Sequence, residues 1–190
     1  GATHISWYQL TIEPNTVFFR TQPVLPVDEV LEAIQEQGEA YLKANGFINY
    51  EVSAWRKERP SAHNLNYWQF GDYLAIGAGA HGKVTRPDGV YRFQKTRLPK
   101  DYLAKVPAEH GQFKRITVEE MPFEFMMNAL RLNAGVDAKL YAERTGLSLD
   151  DLAPVLTSLR QRKLLVEDAS RLACTEQGHV FLNSVLEEFL

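Results

Sequence analysis

Apolar positions along this chain change their spacing several times. His4 to Ile12 (HISWYQLTI) alternates roughly and is rich in β-branched and aromatic residues, which predicts a strand ended by Pro14-Asn15. Pro23 and Pro26 mark a loop. Val30, Leu31, Ile34, Tyr41 and Leu42 then recur at helical spacing, with Asp28 as the expected cap and Asn45-Gly46 as the stop. Phe47 to Ala54 (FINYEVSA) predicts a second strand. Strand, helix and strand in that order predict a βαβ unit, and with it a parallel sheet. Further on, Tyr73 to Ile76 predicts a short strand. Arg86-Pro87-Asp88-Gly89 between Lys83-Val84-Thr85 and Val90-Tyr91-Arg92-Phe93 predicts a hairpin, and Leu98 to Tyr102 opens a short helix.

The pattern changes near 108–118. Pro122 to Leu132 predicts a helix with a Phe- and Met-rich face. Helices are also expected over Asp137 to Thr145, stopped by Gly146, and over Leu149 to Lys163. Leu164-Leu165-Val166 and Arg171 to Cys174 would pair as a two-stranded wing, and Thr175 would cap a last helix reaching Leu190. The expected fold class is therefore α/β followed by mainly α, with domains at 1–116 and 117–190 and a winged-helix-like second domain.

At 190 residues and 45% hydrophobic content, the composition is that of an ordinary globular protein. No apolar run approaches the roughly 20 residues needed to span a bilayer, and no signal peptide is visible. A single cysteine, Cys174, excludes an intrachain disulfide and points to a cytoplasmic, reducing setting. Gly1-Ala2 leads into the first strand without an initiating Met, as expected of a fragment of a longer protein. The net charge of −3 is unevenly spread. Up to residue 116 there are 14 Lys and Arg against 12 Asp and Glu; beyond it there are 7 against 12. Lys83 to Arg115 holds nine basic residues and three acidic ones, Asp88, Asp101 and Glu109. That excess could face an anionic ligand or be a solvated surface.

Candidate chemistry concentrates in His63-Asn64-Leu65-Asn66-Tyr67-Trp68 and Gly77-Ala78-Gly79-Ala80-His81-Gly82. The second stretch matches G-x-G-x-x-G, but the dinucleotide fingerprint needs a helix starting inside it. The continuation KVTRPDGVYRF demands a turn. Gly77 and Gly79 instead permit a tight strand exit and a close backbone approach to a ligand. The neutral imidazole of His63 could ligate iron or zinc. One histidine cannot make a structural zinc site, yet one is enough as an axial haem ligand. Tyr67 and Trp68 could stack on a porphyrin, or simply fill the core. His81 is a second candidate; His4, His110 and His179 lack supporting context, and Glu13 and Glu51 carry no assignment. A winged helix invites a DNA-binding reading, but Asp150 and Asp151 stand where base-reading side chains would project. Arg160, Arg162 and Lys163 lie only at the far end of that helix. The expectation is therefore no nucleic acid.

HNLNYW, with HISWYQLTIEPNT upstream and FGDYLAIGAGAHGK downstream, resembles the C-terminal half of the HemW family. These are radical S-adenosylmethionine (SAM) proteins related to oxygen-independent coproporphyrinogen III oxidase. The likeness extends through PFEFMMNALRL to the C-terminal LTSLRQRKLL and EQGHVFLNSVLEEFL. The HNxxYW motif is similar to the one that marks the haem-chaperone branch. The resemblance implies a partial (β/α) TIM-like barrel half followed by a helical covering domain. It also implies haem as ligand, with His63 as an iron ligand and Asn64, Tyr67 and Trp68 at the motif's other fixed positions. Thr11, at the strand end, would lie in a region lining the SAM site, and the Gly77–Gly82 loop at the substrate end. SAM and a [4Fe–4S] cluster belong to the longer parent, whose CxxxCxxC motif is absent here, so this chain alone should lack radical chemistry.

The function implied is haem binding and delivery to haem-acceptor proteins. The competing enzyme reading is oxidative decarboxylation of coproporphyrinogen III; a third is a winged-helix DNA-binding regulator. The resemblance leaves room for peripheral membrane association of the parent, and open sheet edges leave room for a homodimer by edge pairing.

Overall fold

The computed structural model describes residues 1–105 and 113–190. His110 and Glu109 lie outside the described residues, as does part of the boundary expected at 108–118. Two compact units are present, Gly1–Ser61 and Ala62–Leu190.

The first unit contains β1 (His4–Ser6), α1 (Val17–Thr21), α2 (Asp28–Ala44), β2 (Ile48–Glu51) and β3 (Ala54–Arg56). Helix α2 follows its apolar period and ends where Asn45-Gly46 predicted, with Gly46 at φ 77°. Asp28 is its first residue and not its cap; there it meets the positive end of the helix dipole. The short α1 is capped by Thr16, whose Oγ1 accepts from the Phe19 N–H at 3.1 Å.

The expected βαβ unit is not formed. The run from Phe47 to Ala54 is a hairpin, because the Glu51 carboxylate accepts from both the N–H (3.3 Å) and the hydroxyl (3.2 Å) of Ser53 and turns the chain back. The sheet order is β1-β3-β2, antiparallel throughout. β1 stops at Ser6 because the three-residue β3 offers no partner beyond it, apart from the Trp7 N–H bond to the Ser53 carbonyl at 2.8 Å. Thr11 therefore lies in irregular, exposed chain, not on a strand. Leu42, Phe47 and Trp55, with Ile5 and Trp7 against them, make a small core.

The second unit begins with α3 (Ala62–Trp68). An antiparallel sheet follows: β4 (His81–Arg86), β5 (Gly89–Gln94) and β6 (Phe113–Arg115), with α4 (Pro99–Ala104) between β5 and β6. The β4–β5 hairpin closes over Pro87-Asp88 as the turn chemistry requires, pairing Arg86 with Gly89. The strand expected at Tyr73 to Ile76 reduces to one bridge, Tyr73 with Lys83, and Leu74 and Ile76 point to solvent.

Helices α5 (Met121–Ala129), α6 (Lys139–Thr145) and α7 (Ala153–Gln161, entered through a 3₁₀ turn at Leu149–Leu152) follow their predicted periods. Asp137 is not helical: Val136–Asp137 forms β7, and the Asp137 carboxylate accepts from the Lys139 N–H at 2.8 Å to start α6. β7 pairs with β8 (Arg171–Leu172), so the expected wing retains only the Leu165–Cys174 bridge of its own. The last helix is two, α8 (Glu176–Val180) and α9 (Leu182–Glu187), broken at Phe181. Among the described residues the fold is mixed α and β with small sheets and no closed barrel.

Candidate functional site

Helix α3 carries the HNLNYW motif. It ends in a Schellman arrangement: the Phe70 N–H donates to the Tyr67 carbonyl at 3.0 Å and the Gly71 N–H to the Asn66 carbonyl at 2.7 Å. Phe70 takes the left-handed position at φ 56°, which a bulky residue seldom adopts. Burial compensates for that strain. Phe70 is 1% exposed, edge-on to Phe125 at 5.5 Å, with the Lys83 ammonium 4.2 Å from its ring.

Gly71 is needed for a different reason. A Cβ there would meet the Asn66 carbonyl oxygen at 2.7 Å and its side-chain oxygen at 2.2 Å. Gly71→Ala should therefore destabilise the second unit by about 1–3 kcal/mol, as overpacking does. Urea unfolding followed through Trp68 fluorescence in a Trp7→Phe/Trp55→Phe background would measure it, and an unchanged midpoint would show that the helix end yields freely.

His63 and Tyr67 stand four residues apart on one helical face, with ring centroids 4.7 Å apart and edge-on. His63 is exposed; Tyr67 is half-buried. Tyr67 in turn lies 4.3 Å from the Tyr73 ring. The Tyr73 hydroxyl accepts from Arg92 at 2.6 Å, and Arg92 donates twice to Glu124 Oε2, at 3.1 and 2.5 Å. Burial pushes the Tyr73 phenol above its usual range, although the Arg92 cation works against it. An exposed imidazole is thus backed by two rings and an ion pair that reach from α3 through β5 to α5.

Asn64 is half-buried beside His63 on α3. Trp68 is capped on its ring by the Arg131 guanidinium at 4.4 Å, and its buried Nε1 has no hydrogen-bond partner among the described residues. Asn66 Nδ2 donates to the Asp72 carbonyl at 2.9 Å. Asp72 anchors that end of the motif to the hairpin: its carboxylate accepts from Lys83 Nζ, the Thr85 N–H and the Thr85 hydroxyl, each at 2.8 Å. Burial pushes the Asp72 carboxyl up, but these donors outweigh it and hold the group below the usual carboxylate range. Burial also pulls the Lys83 ammonium below the usual lysine range, partly offset by Asp72.

Gly77 (φ 98°) and Gly79 (φ 70°) turn the chain into β4 and not out of a strand, since Tyr73 to Ile76 forms only one bridge, and the Gly79 N–H donates to the Thr96 carbonyl at 2.9 Å. The strand β4 follows directly, with His81 exposed at its start. No helix begins in the G-x-G-x-x-G stretch. Thr11 belongs to the first unit, and the other candidates to the second. His4 shares a 2.8 Å hydrogen bond with Tyr50, and His179 is half-buried on α8.

Not all of the basic excess of Lys83 to Arg115 is free to face an anionic ligand. Lys83, Arg92 and Lys114 pair with Asp72, Glu124 and Glu120. At the end of α7, Arg160 donates to the Val166 carbonyl and Arg162 pairs with Glu188. Among the described residues no group of three or more His, Cys, Asp or Glu could hold a metal ion, and no helix is long and apolar enough to cross a membrane.

Sequence reasoning missed Tyr73, Arg92, Glu124 and Arg131 as supports of the motif. Arg92 and Glu124 lie 32 positions apart, and no local pattern links them.

Residues 116–181 match the HemN C-terminal domain. The haem chaperone HemW of Haemophilus influenzae is 46% identical over 193 residues, covering 98% of this chain and 49% of the relative. HemW of Escherichia coli is 46% identical over 189 residues, covering 98% of this chain and 50% of the relative. HemW of Bacillus subtilis is 34% identical over 198 residues, covering 100% and 51%. Among solved structures, coproporphyrinogen III oxidase (HemN) from Escherichia coli, described as a radical SAM enzyme, superposes with a TM-score of 0.60. That match covers 87% of this chain and 42% of the other at 16% identity, a likeness of fold alone. The chain spans about half the length of the curated relatives it matches.

Proposed function

We propose that this chain, 46% identical to HemW haem chaperones and spanning about half their length, is the haem-binding part of such a chaperone, which holds haem as cargo and passes it to acceptor proteins. The observation that carries this reading is His63: an imidazole exposed on α3, fixed edge-on by Tyr67. A neutral imidazole can ligate haem iron, and its exposed position suits a ligand that must be given up as well as taken. Tyr67 and Trp68 hold the helix that presents it, with Asn64 half-buried beside His63, and Gly77 and Gly79 supply a backbone a ligand could approach closely.

The residues here do not fit a thiolate-held cluster. The single cysteine is buried, and burial pushes its thiol up to about 12. A [4Fe–4S] cluster, and SAM bound near Thr11, would need residues beyond this sequence.

Residues 1–116 would correspond to half of a partial (β/α) TIM-like barrel in the longer parent, although the first unit by itself carries an antiparallel sheet and no βαβ unit. The small core of that unit and its exposed Tyr8, Val17, Phe18, Val24, Val27 and Tyr41 support a surface that packs against further chain. The order α5, β7, α6, α7, β8 supports a winged-helix-like reading of residues 117–190.

A haem titration followed by absorbance tests the proposal. Wild type should give a Soret shift that saturates near one equivalent; His63→Ala should lose it, and His81→Ala should keep it. If wild type and His63→Ala titrate alike, His63 is not the ligand and this reading of the site fails.

A further inference from the structure

The sheet β4–β5–β6 has two differently built faces. By register, Lys83, Arg92 and Lys114 lie side by side on one of them, and each meets an acid of the second unit. Val84, Tyr91 and Arg115 share the opposite face, with Phe93, Phe113 and Arg86 in line along the strands. There the Arg86 guanidinium lies over Phe113 at 4.5 Å and Tyr91 at 5.1 Å, and Lys95 Nζ lies 5.8 Å from the Phe93 ring. Phe113 is 48% exposed, and Arg86 and Arg115 are exposed. The one acid in the hairpin turn, Asp88, accepts from the Tyr91 hydroxyl at 2.7 Å and has its carboxyl lowered chiefly by that bond and further by the charges of Arg115 and Arg86; among the described residues neither arginine has a carboxylate within ion-pair distance.

We propose that this outer face of β4–β5–β6 is a docking surface for a carboxylate-rich segment of a partner protein. A guanidinium placed over rings is held there by cation–π attraction, and its fork of N–H donors can receive a carboxylate in bidentate fashion. The same stacking argues against flat ligands. Phe113 is the exposed ring on this face and already carries Arg86, while Tyr91 is half-buried and Phe93 buried, which leaves little ring surface for a nucleic-acid base or a porphyrin to stack on. What remains on offer is positive charge at fixed positions, complementary to Asp and Glu side chains. The surface is separate from His63, and the proposal stands whether or not that histidine binds iron.

The test is fluorescence anisotropy of a dye-labelled oligoglutamate with the full chain at low ionic strength. Compared with wild type would be Arg86→Gln/Arg115→Gln and a control of equal charge loss elsewhere in the basic stretch, Arg97→Gln/Lys100→Gln, all checked for folding by circular dichroism. Saturable binding should weaken about tenfold in the first pair and less than about twofold in the control, since only fixed, specific ion pairs distinguish them. Arg86→Lys, which keeps the charge but not the fork, should weaken binding several-fold. Equal losses in both pairs would mean diffuse attraction and would overturn the proposal. So would no binding, or tighter binding of a labelled oligothymidylate or of haem through Arg86 and Arg115.

Discussion

Phe125→Ala will unfold the second unit at markedly lower urea, with a loss of about 3–5 kcal/mol. Phe125 is wholly buried, and two rings meet it edge-on: Phe70 at 5.5 Å and Tyr141 at 5.2 Å. One ring belongs to the turn that ends α3, and the other to α6. Truncation therefore leaves a cavity where three elements meet, and it removes the support of a phenylalanine held in left-handed backbone. Both effects point the same way, so the upper part of that range is expected. Trp68 is the one tryptophan of the second unit, so a Trp7→Phe/Trp55→Phe background makes fluorescence report on that unit alone. A loss below about 1 kcal/mol would mean that the surrounding rings close the cavity.

Asp72→Asn should cost more than Lys83→Met, although each removes one partner of the same ion pair. The Lys83 side chain is 1% exposed and that of Asp72 is 45% exposed. Without the carboxylate, an ammonium is left buried against Phe70 with no countercharge. Breaking a buried pair in this way costs about 3–5 kcal/mol, here toward the lower end because Asp72 is partly in water. Methionine, by contrast, fills the lysine's space and leaves Asp72 solvated and still bonded to Thr85, so a loss of about 1 kcal/mol or less is expected.

The pH dependence follows from the same pair. Asp72 is held below its ordinary value in the fold, so its contribution is present above the ordinary carboxylate pKa near 4 and is lost as pH falls through the lower folded value. The lowered ammonium of Lys83 acts in the alkaline range, where stability rises as pH climbs from its folded value toward that of a free lysine. Urea midpoints of wild type, Asp72→Asn and Lys83→Met between pH 3 and 7 would check the ranking and the acid limb. Equal losses in the two variants would show that the ammonium reaches water.

The elements that could be read in the sequence are those fixed by local rules. The apolar period of Val30 to Leu42 and its Asn45-Gly46 stop place α2, and Pro87-Asp88-Gly89 places the β4–β5 turn. The periods after Pro122 place α5, α6 and α7 to within a few residues. The hairpin inside FINYEVSA could not be read this way. An apolar run of that length reads as one strand, and the turn depends on one carboxylate capturing Ser53. The site divides similarly. His63 and Tyr67 share a face because four residues is one helical turn, so the motif's coherence is visible in its spacing. Tyr73, Arg92 and Glu124, which support it, come from separate elements and meet only after folding. The positive excess between Lys83 and Arg115 could be counted, but which cations turn inward depends on strand register.

Burial of Cys174 has a practical consequence. Its thiol is 4% exposed and, pushed up to about 12, almost never ionised at neutral pH, whereas maleimides and thiosulfonates react with thiolate. The native surface is therefore blank to thiol reagents without any cysteine having to be removed. A cysteine introduced on the exposed face of α3 would take up a dye or nitroxide alone, giving a reporter one helical turn from His63 on an otherwise unaltered protein.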